Sequence, residues 1–134
     1  MGKIRIIVAD DNTKMLAQLV SVLASDFAIL GTAADGTSAL DLIRQQKPDV
    51  AVLDLRMPAP DGLEVIARLA ECPRRPAIVV CSVEKDTEIV NAVLKAGAAG
   101  YVFKGSIETD LIPAVYFAAR GTKFVSPVSR LTDP

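Results

Sequence analysis

Two carboxylates, Asp10 and Asp11, directly follow the apolar run "IRIIVA" at residues 4–9. A third, Asp54, ends "VAVLD" (50–54), Ser82 follows "AIVVC" (77–81) and Lys104 follows "YVF" (101–103). Singly, each has an ordinary explanation. Asp11 or Asn12 can cap a helix, Asp61 with Glu64 three residues on reads as a capping box, Ser82 can open a turn and Lys104 can be a solvated charge. Jointly they mean more. Three carboxylates held close raise one another's pKa and push apart unless a cation sits among them. An all-oxygen set without imidazole or thiolate suits a hard ion, Mg2+ or Mn2+, which keeps several waters and accepts a phosphate as co-ligand. Three negative carboxylates against a divalent ion and Lys104 sum to zero charge.

Such residues converge only if the chain delivers them to one rim. Short β-branched runs at 4–9, 27–32, 50–54, 77–81 and 101–103 alternate with stretches whose apolar residues recur every three or four positions: "TKMLAQLVSVLA", "TSALDLIRQQ", "LEVIARLAE", "DTEIVNAVLKA" and "LIPAVYFAAR". This alternation predicts five βα units and a parallel sheet with helices on both faces. Near-continuous apolarity marks the first, third and fourth runs as central strands. Gly36, Pro48, Gly62, Pro73, Pro76, Gly97, Gly100 and Gly121 are expected between elements. Pro113 is accommodated if the last helix begins with Asp110 as its cap, placing the proline in the first turn. In open α/β sheets ligands bind beyond the carboxyl ends of the strands, where Asp10, Asp11, Asp54, Ser82 and Lys104 all fall.

Composition narrows the function. The chain has 134 residues, 51% hydrophobic and 23% charged, with net charge −1, which fits one compact domain. Its basic residues are scattered along the sequence, giving no footprint for nucleic acid or an anionic membrane, so any DNA-binding part is expected outside this chain. Cys72 and Cys81 lack metal or disulfide spacing and read as packing thiols. No apolar segment of signal-peptide or membrane-spanning length opens the chain, and a cytoplasmic location is expected. With no histidine, any phosphohistidine must belong to a partner.

The acid pair after the first strand, "DLRMPAPDG" beginning at Asp54, the serine closing the fourth strand and "KAGAAGYVFK" ending in Lys104 resemble the receiver domain of two-component response regulators. The resemblance runs from Lys3 to about Arg120 and implies a flavodoxin-like (βα)5 fold of strand order 2-1-3-4-5. It implies a phosphorylation-driven switch fed by a sensor histidine kinase, able to catalyse its own Mg2+-dependent phosphorylation and dephosphorylation. Carried over by position, Asp54 is the phosphoacceptor. Asp10 or Asp11 and Asp54 supply Mg2+ ligands, with the backbone carbonyl of Arg56 completing the protein set. Lys104 and Ser82 contact the phosphoryl oxygens, and Ser82 with Tyr101 forms the switch pair. Arg56 and Glu84 are placed to control access of the hydrolytic water. The family often has a cis-proline after the lysine. Here Gly105 follows, so no cis-proline and a looser loop are expected.

Three other classes compete, one of them a phosphorylation-independent interaction module, which the intact acid cluster and Lys104 argue against. A haloacid dehalogenase-like phosphohydrolase needs a second aspartate two residues after the nucleophile, where this chain has Arg56, and a flavodoxin-like flavin carrier needs a hydroxyl- and glycine-rich loop where "DDNTKM" stands. Residues 1–121 read as the receiver and 122–134 as a linker or tail. "RG", "VSP" and the final "LTDP" resemble NarL/FixJ-type regulators, implying a helix-turn-helix domain beyond Pro134 and a homodimer formed on phosphorylation. The alternative is a stand-alone receiver acting by protein–protein contact.

Overall fold

The computed structural model describes residues 2–127, so the "LTDP" end lies outside the described residues. The elements are β1 (Arg5–Ala9), α1 (Thr13–Leu23), β2 (Ala28–Ala33), α2 (Gly36–Gln46), β3 (Val50–Leu53), α3 (Gly62–Leu69), β4 (Ala77–Ser82), α4 (Thr87–Ala96), β5 (Gly100–Phe103), α5 (Ile107–Ala119) and β6 (Phe124–Val125). All strands pair in parallel in the order β2-β1-β3-β4-β5-β6. The expected five-strand order is present, and a two-residue sixth strand extends it.

Alternation along the strands divides the core into two layers. Ile7, Ala9, Leu53, Val80, Tyr101 and Phe103 pack beneath α2, α3 and α4. Ile6, Val8, Val52, Val79, Cys81 and Val102 pack beneath α1 and α5. Both faces of β1, β3 and β4 are therefore covered, which is why their sequences are almost continuously apolar, apart from Arg5 at the start of β1 and Ser82 at the end of β4. The Cys81 thiol is buried, and that burial pushes its pKa up to about 12, so it packs as an inert apolar group.

Two expectations need correction. Gly36 and Gly62 are the first residues of α2 and α3, and Gly100 opens β5, rather than lying between elements. Helix α5 starts at Ile107, ahead of Asp110, and Pro113 lies inside it. The reason is burial. Ile107, Asp110, Leu111, Ala114, Val115 and Ala118 form one inward stripe, and Asp110 turns its carboxylate to Ser126 instead of capping the helix. As expected, no cis-proline follows Lys104; the cis bond among the described residues is Ala59–Pro60, in the loop after β3. Finally, the fold gathers cations that sequence separates. The α2 C-terminus and the α3–β4 connection set Arg44, Lys47, Arg74 and Arg75 around a cavity of about 290 Å3 at the amino ends of β3 and β4.

Candidate functional site

Parallel strands place all their carboxyl ends on one rim. Asp10, just after β1, has a fully buried side chain, and its Oδ1 accepts a 2.8 Å hydrogen bond from the Asn12 amide. Asn12 itself caps α1, accepting from the Met15 amide at 2.9 Å. Capping thus falls to Asn12, and Asp11 keeps an exposed carboxylate at the rim. Oxygens of Asp10, Asp11 and Asp54 all lie within 4.8 Å of one another.

Lys104 joins the cluster from β5. Its Nζ lies 2.8 Å from Asp10 Oδ2 and 3.1 Å from Asp54 Oδ2, with the side chain only 11% exposed. Apart from this ammonium, Asp10 Oδ2 meets no hydrogen-bond donor among the described residues. A buried carboxylate oxygen with one cationic neighbour has lone-pair capacity for a second cation, and the three-acid oxygen set fits a hard divalent ion.

Electrostatics agree with that fit. Burial, reinforced by the Asp10 charge, holds the Asp54 carboxyl above the ordinary carboxylate range, while Lys104 opposes the shift. Burial pulls the Lys104 ammonium down, yet hydrogen bonds and charges from Asp10 and Asp54 outweigh it and leave its pKa raised. The lysine therefore stays charged at neutral pH, beside carboxylates that repel each other.

Two glycines fix the backbone around Asp54. A Cβ on Gly62 would strike the Asp54 carbonyl oxygen, and one on Gly36 would strike the Pro60 carbonyl oxygen. The Gly62 amide donates to the Leu55 carbonyl at 2.9 Å and the Gly36 amide to the Pro58 carbonyl at 3.2 Å. The loop after β3 is thereby pinned between α2 and α3. Asp61 caps α3 by accepting from the Glu64 amide at 2.9 Å, as its sequence position indicates.

Arg56 contributes in two directions. Its amide donates to Asp54 Oδ1 at 3.4 Å, while its guanidinium reaches Glu84 Oε2 at 3.0 Å. That hydrogen bond holds the Glu84 carboxyl below its usual range. No second acid stands two residues after Asp54, so the arrangement lacks the general acid of a dehalogenase-type hydrolase. Ser82 ends β4 and is buried, but its Oγ accepts from the Glu84 amide at 3.0 Å and has no hydrogen bond to Asp54 or Lys104 among those described. Tyr101 is fully buried, and its hydroxyl donates to the Glu84 carbonyl at 2.8 Å.

The family model described as "Response regulator receiver domain" matches residues 6–116. The chain belongs to the response regulator receiver family. This receiver domain is 38% identical over 129 residues to a Mycobacterium tuberculosis protein named "Probable transcriptional regulatory protein NarL", covering 93% of this chain and 59% of that protein. It is 36% identical over 124 residues to the Escherichia coli nitrate/nitrite response regulator protein NarL, covering 90% and 57% respectively. The solved signal receiver domain of the M. tuberculosis NarL superposes with a TM-score of 0.86 at 35% identity, over 90% of this chain and 99% of that one. The chain thus spans somewhat over half the length of these curated relatives and is a receiver of the NarL type in two-component signalling. Among the described residues no helix is long and apolar enough to cross a membrane.

The sequence reading missed a second polar group, Asp110 with Ser126. A carboxylate on the apolar stripe of α5 was its one legible signal.

Proposed function

We propose that this receiver accepts a phosphoryl group on Asp54 from a phosphohistidine of a partner sensor kinase and passes that state to an output module. The observation that supports this most is the Lys104 ammonium held between Asp10 and Asp54, with Asp11 alongside. In the transfer, an Asp54 oxygen attacks phosphorus. A P–O bond forms, the P–N bond of the phosphohistidine breaks, and its electrons return to the partner's imidazole. Lys104 neutralises charge on the phosphoryl oxygens, and Ser82 leaves the Glu84 amide to donate its hydroxyl to one of them. Asp10, Asp11, Asp54 and the Arg56 carbonyl would hold Mg2+, which when bound supplies further charge neutralisation.

Relocation of the Ser82 hydroxyl frees a donor beside the Tyr101 hydroxyl, which couples the two as a switch. The relatives' names favour transcription as the output, through a DNA-binding domain beyond this chain and a homodimer formed on phosphorylation. A stand-alone receiver is the alternative. On this reading residues 1–121 are the receiver and 122–134 begin the linker.

Intact mass after incubation with acetyl phosphate and Mg2+ tests the acceptor. One added phosphoryl group in the wild type, absent in Asp54→Asn, is expected, and an undiminished gain in the variant overturns the assignment. Thermal melts test the cation seat. Asp11→Asn should raise the Mg2+ concentration needed for half-maximal stabilisation by about tenfold or more, and an unchanged Mg2+ response removes Asp11 from the ligand set.

A further inference from the structure

After α5 the chain doubles back along the sheet. Phe124 and Val125 pair with Gly100 and Tyr101 of β5, and the Phe117 and Phe124 rings stack with centroids 5.8 Å apart. Ser126 then enters the interior, 1% exposed. Its amide donates to the Tyr101 carbonyl at 2.9 Å. Its hydroxyl donates to Asp110 Oδ2 at 2.7 Å and accepts from the Phe103 amide at 3.1 Å. The donor and one lone pair of that hydroxyl are thereby set: donation to Asp110 turns an oxygen lone pair toward Phe103.

Phe103 is the residue before Lys104. Beyond it the backbone enters a 3-10 turn over Lys104–Ser106 with no side-chain cap at its start, and Gly105 in that turn has open space around its Cα. Little within the turn itself fixes where Lys104 begins. On its inner edge Phe103 pairs with Ser82 of β4; on its outer edge its amide is held by the Ser126 side chain rather than by a strand, because β6 ends at Val125.

We infer that Ser126, oriented by Asp110, is a positioning residue that sets the place of the Lys104 ammonium between Asp10 and Asp54. The inference rests on the reading of Asp54 as acceptor. It extends that reading to regulation, because Ser126 belongs to the segment leading out of the domain. A pull on the chain beyond residue 127 reaches Lys104 through one buried hydroxyl, and by linkage a phosphoryl group that repositions Lys104 alters the hold on that segment. The bland alternative is that Ser126 only ties the tail to the sheet, with no effect at the rim.

The two differ at Lys104. In the full 134-residue chain labelled with 13C at lysine, the Lys104 Cε signal, assigned by its loss in Lys104→Arg, reports the ammonium's surroundings without any phosphorylation. Ser126→Ala should move that signal toward those of exposed lysines and slow acetyl phosphate labelling of Asp54 by about tenfold, while Ser126→Thr, which keeps the hydroxyl, restores both. Should Ser126→Ala fail to fold, Asp110→Asn is read by the same two measurements, with the same direction expected. An unmoved Lys104 signal with labelling within twofold of wild type in a folded variant overturns the inference. Wild-type protein that gains no phosphoryl group overturns instead the acceptor reading, and the Lys104 signal then decides this inference alone.

Discussion

The hydroxyl of Tyr101 donates to the main-chain carbonyl of Glu84 at 2.8 Å, across 17 residues of sequence, and so ties β5 to the segment that follows β4. The ring is wholly buried and meets Phe103 edge-on at 5.9 Å. Replacing Tyr101 with Phe keeps the ring and removes the bond, leaving the Glu84 carbonyl unpartnered by it. The expected loss is about 1 kcal/mol in a denaturant melt. Faster hydrogen exchange at the amides of residues 83–86 should accompany it, and a melt and exchange pattern identical to wild type would refute the tie.

Asp54 is a strained acid. Its pKa is raised by burial and by Asp10, so the native state binds its proton more tightly than the unfolded chain does. Stability from this group is present below the ordinary carboxylate pKa of 3.8 and lost as pH rises through the raised native value. At neutral pH, in EDTA, Asp54→Asn should therefore be more stable than wild type by about 1 kcal/mol. A lower melting temperature for the variant under those conditions would show that its ion pair with Lys104 outweighs the burial.

Asp35 behaves oppositely. It caps α2 by accepting from the Ser38 amide at 2.7 Å, and that bond holds its carboxyl below 3.8. Its contribution is present above the unfolded pKa and lost as pH falls through the native one. Asp35→Ala should melt earlier than wild type at pH 7, with the gap closing as pH falls through the lowered native value. Melts across pH 2–7 check the sign.

The Arg56–Glu84 pair, with Arg56 70% exposed, is too solvated to matter for folding. Arg56→Ala should leave the melting temperature within error while changing the lifetime of the acyl phosphate severalfold. The check is the rate at which the added mass disappears once acetyl phosphate is removed. No change in that rate leaves the pair a surface contact only.

Gly62 has the Asp54 carbonyl where a Cβ would go. Gly62→Ala must displace either the first turn of α3 or the backbone carrying Asp54, and a loss of roughly 1–3 kcal/mol is expected from the forced overlap. A loss well under that range would mean that the two backbones separate freely.

How much of this was legible follows from range. The uninterrupted apolarity of "IIVA" and "VAVL" betrays strands buried on both sides, and acids at their ends mark the rim because strand order alone brings them together. Lys104 was readable for the same reason. Ser126 was not, since its environment depends on a two-residue strand, too short to leave a pattern, pairing with residues more than twenty positions earlier. Pro113 misled the reading of α5 because the rule for prolines considers one helix turn, whereas burial of Ile107 and Asp110 decided where that helix began. Arg44 and Arg75 lie 31 positions apart, and only the fold makes them neighbours.

The short strand β6 also bears on solubility. Without it, the carbonyls of Ala99 and Tyr101 and the amide of Phe103 lose the partners that Phe124 and Ser126 give them, along an apolar strand that reads "YVF". Exposed strand edges of that character template pairing with further chains. A version cut at Gly121, the apparent end of the repeating βα pattern, would present such an edge, and its tendency would be to aggregate rather than to remain monomeric. Six residues that look like tail in the sequence are the guard of the sheet.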